Sequence, residues 1–203
     1  AYRIIGGWAS SDSGEASDNK VDISKGTGTA PTVNATEIIG GLFGGVNEGN
    51  TVTISDGIVN VSNRIIGGEL ASSDAKNNGV TITGGTVTTN STSLDIIGGQ
   101  AYSGTAFGNS VSIGNDTDST TEANVKVKNI IGGKSSTGAA DSNKVTIGND
   151  GRKAAVTVTA SGDIIGGQSD SSTASGNSVS ISQGKNTTTA VTAASIIAGK
   201  TAG

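Results

Sequence analysis

A chain of 203 residues with 33 glycines, one proline and 2% aromatic residues cannot fill a round core with large side chains, so a narrow core of small aliphatic residues is expected. It has neither His nor Cys, which excludes catalytic triads, thiol nucleophiles and the usual zinc sites. A net charge of −4 with scattered Lys and Arg speaks against a nucleic-acid or anionic-membrane surface, and no apolar run reaches the roughly 18 residues of a membrane span.

The first element met along the chain is a phrase that returns. Ile-Ile-Gly-Gly begins at Ile4, Ile38, Ile65, Ile96, Ile130 and Ile164, and Ile-Ile-Ala-Gly begins at Ile196. Intervals of 27 to 34 residues mark a repeat array, read as one solenoid over 1–203 rather than as globular domains. The residues just before the phrase, Arg3, Glu37, Arg64, Asp95, Asn129, Asp163 and Ser195, are polar and read as outward. Alternation then puts the first Ile inside and the second outside. An outward stripe of Ile5, Ile39, Ile66, Ile97, Ile131 and Ile165 is too apolar to leave wet. Either the two glycines bend the strand, through the positive φ open to glycine, so that both Ile columns are buried, or the stripe is a seam for self-association.

About nine residues after each glycine pair comes Asn-x-Val-x-Ile, the second element. Its β-branched residues alternate with polar ones, the pattern of a half-buried strand. Val21, Val52, Val80, Val111, Val145 and Val179 are expected in the core with the first Ile of each phrase. The same parity turns Asn19, Asn50, Asn78, Asn109, Asn143 and Asn177 inward, where amides stacked at about 4.8 Å can bond one to the next as a ladder. The alternative is that each Asn is only a turn residue, since turn formers precede them all: Asp18, Gly49, Asn77, Gly108, Ser142 and Gly176. Ala16, Ala75, Ala106, Ala140 and Ala174 stand three places before the Asn and suit a tight inward corner.

A third strand leads back to the next Ile pair: Ile58 to Val61, Val125 to Val127, Val156 to Val158, and around Val33, Val87 and Val191. The length of this side varies, so loops such as Gly114 to Asn124 and Gly148 to Ala155 gather on one edge, where solenoids carry specificity. The reading is an all-β solenoid of about six coils with three short strands per coil. A geometry of two shorter coils per repeat is the alternative.

The glycine pair, the Ser/Ala/Gly/Asn-rich bend and the N-x-V-x-I strand together resemble the repeats of bacterial autotransporter passengers and related surface adhesins. The resemblance spans essentially the whole chain and implies a right-handed parallel β-helix, extracellular and displayed at the bacterial cell surface. It implies a structural or adhesive role, with a host or bacterial surface receptor or a glycan as partner, and no enzymatic activity. The family's C-terminal membrane barrel is absent from this sequence, so the chain is expected to be a segment of a larger passenger or another use of the repeat. As a filament subunit it would instead stack end to end through strand edges that carry no polar or helical cap.

Other chemistries rest on thinner patterns. Asp95 and Asp163, two coils apart in one column and about 10 Å from each other, approach the spacing of an inverting glycosidase pair in a polysaccharide-cleaving β-helix, although the alternating charges of that column fit a balanced solvent face better. Asp116 and Asp118 offer oxygens for Ca²⁺ but lie outside any Gly-Gly-x-Gly-x-Asp nonapeptide, and read as a solvated loop. The outward residues Thr51, Thr53, Ser55, Thr81, Thr83, Ser110, Ser112, Ser178, Ser180 and Ser182 resemble an ice-binding face interrupted by Lys20, Asp22 and Lys144. Trp8, Phe43, Tyr102 and Phe107 follow the glycine pairs and are too dispersed for a sugar-stacking platform. No cofactor or metal is expected.

Overall fold

The computed structural model describes residues 2–11, 14–89, 93–117, 119–149, 151–184 and 187–202. Among them every regular element is a β-strand, every strand pairing is parallel, and the sheets stack as a solenoid of about six turns. Among the described residues no helix is long and apolar enough to cross a membrane.

Equivalent phrases lie directly over one another. Ile4 pairs with Ile38, Ile38 with Ile65, Ile65 with Ile96, Ile96 with Ile130, Ile130 with Ile164 and Ile164 with Ile196. The Asn-led strands are in register too, with Val21, Val52, Val80, Val111, Val145 and Val179 in one column. One repeat is therefore one coil, and the two-coil geometry is set aside.

Each inner coil has a fourth strand beyond the three expected. Asn47–Glu48, Ala75–Lys76, Ala106–Phe107 and Ala140–Asp141 form a sheet of two-residue strands along the Ala corner. In two early coils the return strand runs unbroken into the Ile pair, as Thr32–Leu42 and Ile58–Leu70, with a register shift between Ala35 and Glu37.

The main core runs the length of the axis. Ile38, Ile65, Ile96, Ile130 and Ile164 meet Val52, Val80, Val111 and Val145, the Ile two places after each Val, and the valines of the return strands. Ile4 and Val179 are only partly buried because they belong to the outermost coils, while Val21 is 8% exposed. Each such burial contributes about 1.5–3 kcal/mol, which explains how a solenoid holds without large aromatics.

The second Ile column is also inside. Ile39 and Ile66 are completely buried, and Ile66, Ile97, Ile131 and Ile165 form a cluster of their own, apart from the main core. The strand does not bend to achieve this. It remains extended through the glycine pair, with neither glycine at positive φ, and the chain itself covers the opposite face. The expected glycine corner is therefore corrected: the left-handed residue that recurs in every coil is the one just before the ladder Asn. Asp18, Gly49, Asn77, Gly108, Ser142 and Gly176 have φ of 52° to 69°, and their short or absent side chains tolerate that conformation.

Candidate functional site

The glycine pairs are needed for close approach. A Cβ on Gly98 would stand 2.6 Å from the carbonyl oxygen of Ser110 and 2.7 Å from its nitrogen, and inside contact distance of the Gly132 carbonyl. A Cβ on Gly99 would overlap the Asn109 amide. The same relation holds between Gly41 and Asn50, Gly68 and Asn78, Gly133 and Asn143, and Gly167 and Asn177. Each glycine pair thus opens a slot against the start of an Asn-led strand, and the asparagine amide occupies it.

Those amides bond in series. Asn50, Asn78, Asn109 and Asn143 are completely buried, while Asn19 and Asn177, in the outermost coils, are half-buried. In each step the backbone N–H and the Nδ2 of one Asn both donate to Oδ1 of the next. The lengths are 3.0 and 2.9 Å from Asn19 to Asn50, 3.0 and 3.0 Å from Asn50 to Asn78, and 3.0 and 3.3 Å from Asn78 to Asn109. From Asn109 to Asn143 they are 2.9 and 3.1 Å, and from Asn143 to Asn177 2.8 and 3.1 Å. The second Nδ2 hydrogen goes to the Ala corner one coil back, from Asn109 to Ala75 O and from Asn143 to Ala106 O, each at 2.8 Å. Asn47 takes the corner place that Ala holds in the other coils and ties in through Oδ1, which accepts from Asn50 Nδ2 at 3.0 Å. Sequence reasoning missed Asn47, although its place three before Asn50 marks it as the exception in the Ala column.

The outward polar column is more enclosed than a solvent face. Glu37, only 7% exposed, accepts from Arg3 Nε and Arg64 Nε at 2.6 Å each. Arg64 also reaches Glu69 at 3.0 Å, and Tyr102 donates its hydroxyl to the same Glu69 oxygen at 2.9 Å. Burial alone would raise the Glu37 pKa, but the two arginines outweigh it and hold the carboxyl below its ordinary 4.5. Near that pH the unfolded chain binds the proton more readily, so the contribution of Glu37 is complete above about 4.5 and is lost as pH falls through its lower folded value. Asp74, held below 3.8 chiefly by the Thr105 N–H, acts in the same direction at lower pH. The thermal midpoint of the wild type is expected to fall on acidification from about pH 5 to about pH 3, and that of Glu37→Gln to start lower and fall less. Parallel curves for the two proteins would remove Glu37 from this account.

The acidic pair of the same column is divided by Asn129. Asp95 accepts from Asn129 Nδ2 at 2.9 Å, the Asp163 backbone N–H donates to Asn129 Oδ1 at 2.9 Å, and Lys200 meets Asp163 at 2.8 Å. Their oxygens serve coil-to-coil contacts. Asp116 is half-buried and Asp118 lies outside the described residues, among which no three carboxylates gather as a metal site. The Ser/Thr face is mixed in register, with Lys20, Thr51, Gly79, Ser110, Lys144 and Ser178 in one column. Trp8, Phe43, Tyr102 and Phe107 are all partly or largely exposed, and Tyr102 is bound into the charge network.

Arg152 had no signal in the sequence. It sits in the loop from Gly148 to Ala155, is 3% exposed, and donates to the carbonyls of Ala154, Thr83 and Thr121 at 2.8, 2.7 and 2.6 Å. Burial pushes its pKa below the ordinary arginine value, against the opposing effect of Asp116. Asn149 donates to Asn115 at 2.7 Å, a contact between the variable segments of adjacent coils. No family model, curated protein or solved structure matches the chain.

Proposed function

We propose that this chain is a structural and adhesive segment of a bacterial surface protein, displayed outside the cell as a stiff spacer with a binding edge. The asparagine ladder carries the reading. Paired amide bonds join each coil to the next from Asn19 to Asn177, so cohesion is distributed along the axis and each coil can be added to the one before it. That suits a rod that folds progressively after export. The Thr83, Thr121 and Ala154 carbonyls that Arg152 gathers mark an edge open to a receptor or glycan.

Antibodies against the purified chain should label intact producing cells as strongly as permeabilised ones. Labelling that requires permeabilisation would sink the proposal.

A further inference from the structure

The connection from the Asn-led strand to the return strand changes length along the stack. It covers 24–31 in the first coil, 55–57 and 83–84 in the next two, and 114–122 in the fourth. Two short connections therefore lie between two long ones, and the step leaves a notch of about 310 Å³ on the outward face of the return strands. Thr32 stands at one end of it, Thr121, Glu122 and Asn124 at the other, with Asp56, Ile58 and Thr86 between them.

The notch is held in shape by close approaches that only glycine allows. Gly57 and Gly85 lie in the floor with φ of 98° and 86°. A Cβ on Gly57 would stand 2.5 Å from the Pro31 carbonyl oxygen, and one on Gly84 would stand 2.8 Å from Thr121 Cβ. The Ile58 N–H donates to Pro31 O at 2.9 Å and the Gly85 N–H to Glu122 O at 2.8 Å, so both walls are bonded to the floor. Buried Arg152 braces the second wall through Thr121 O at 2.6 Å and Thr83 O at 2.7 Å. A recess formed before its ligand arrives avoids much of the ordering cost of binding.

The groups facing the notch select among ligands. Thr32, Ile58, Thr86 and Asn124 follow one another in register down four coils as a single outward column. Ile58 is 49% exposed, an apolar patch in an otherwise polar row. Among the described residues the side chains of Thr32, Thr86, Glu122 and Asn124 have no protein partner. Lys25 meets Asp56 at 3.5 Å, and Lys126 shares the outward face of Asn124, so two cations offset the two carboxylates. An ionic ligand thus finds no excess of opposite charge. A pyranose ring fits this set: its C–H face lies on Ile58, and its hydroxyls donate to Glu122 and accept from Asn124. We infer that the notch binds a neutral saccharide, an assignment that rests on the adhesive role proposed above.

A printed array of neutral and acidic glycans, probed with the labelled chain and three variants, tests this, with circular dichroism as the folding control. The wild type should bind neutral glycans. Ile58→Asp and Thr86→Arg, both in the notch, should weaken that binding roughly tenfold or more. Thr157→Arg, in the same column one coil beyond Asn124, should leave it unchanged. Neutral glycans held equally by all four proteins would overturn the notch and leave the adhesive role standing. Binding confined to acidic glycans, loss in Thr157→Arg as well, or no neutral glycan bound would also overturn the notch. Cell labelling that requires permeabilisation would remove the surface role itself, whatever the array reads.

Discussion

Gly98→Ala should be strongly destabilising for a single added methyl. The new Cβ would meet three backbone atoms at once: the Ser110 nitrogen and oxygen across the slot and the Gly132 carbonyl in the next coil. None belongs to a flexible side chain, and the strands on both sides are hydrogen-bonded, so relief requires two coils to separate. Overpacking in a close-packed interior ordinarily costs about 1–3 kcal/mol, and a clash with fixed backbone on two sides should exceed that range. Because coils couple mainly to their neighbours, the loss should divide the solenoid. Amide exchange should show residues 95–147 opening while the coils on either side retain protection. Unfolding that remains cooperative, with the midpoint of the wild type, would mean the slot is wider than its geometry indicates. Gly28 is the appropriate control, since a Cβ there meets nothing closer than 3.8 Å.

This expectation also marks the limit of sequence reading. Period, strand order and inward parity were all visible because β-branched residues alternate with polar ones in each Asn-led strand, and repetition averages out local exceptions. In the sequence the glycine pair reads as structural through a bend, whereas in the fold close approach is what requires it. A glycine in a sequence shows that a Cβ is unwanted without showing whether φ or a neighbouring atom forbids it. The interval of nine residues from Gly-Gly to Asn in four of six repeats was the usable clue, since two columns in spatial contact keep their distance along the chain. The second Ile column illustrates a different limit. Parity correctly sends Ile66 away from the main core, but only the path of the rest of the coil shows that the other face is covered as well. Arg152 was beyond reach because its three acceptors lie on three coils and its loop follows no period.

The second large effect is expected for Asn109→Ala, and its size follows from what the amide leaves behind. Its Oδ1 accepts from the N–H and Nδ2 of Asn78, and its Nδ2 donates to Asn143 Oδ1 and Ala75 O. Truncation strands the Asn78 N–H and one Asn78 amide hydrogen in a region closed to water, and takes the side-chain donor from the Ala75 carbonyl. Each unsatisfied buried group costs about 1–3 kcal/mol, so a total on the order of 3–6 kcal/mol is expected after partial relaxation. That is a large share of the roughly 5–15 kcal/mol that holds a domain folded. Asn19→Ala should cost far less, because Asn19 is half-buried and its truncation removes a single side-chain bond, to Asn50 at 2.9 Å. Denaturant midpoints of the two variants separate a ladder from a row of turn residues: a ladder makes the central substitution several times worse than the terminal one, whereas turn residues would lose similar amounts at both positions. Asn109→Asp refines the test, since it keeps one acceptor for Asn78 but turns an oxygen toward Asn143 Oδ1 and Ala75 O. At neutral pH it should be at least as destabilising as Ala, and it should recover in part where the carboxyl is protonated and can again donate.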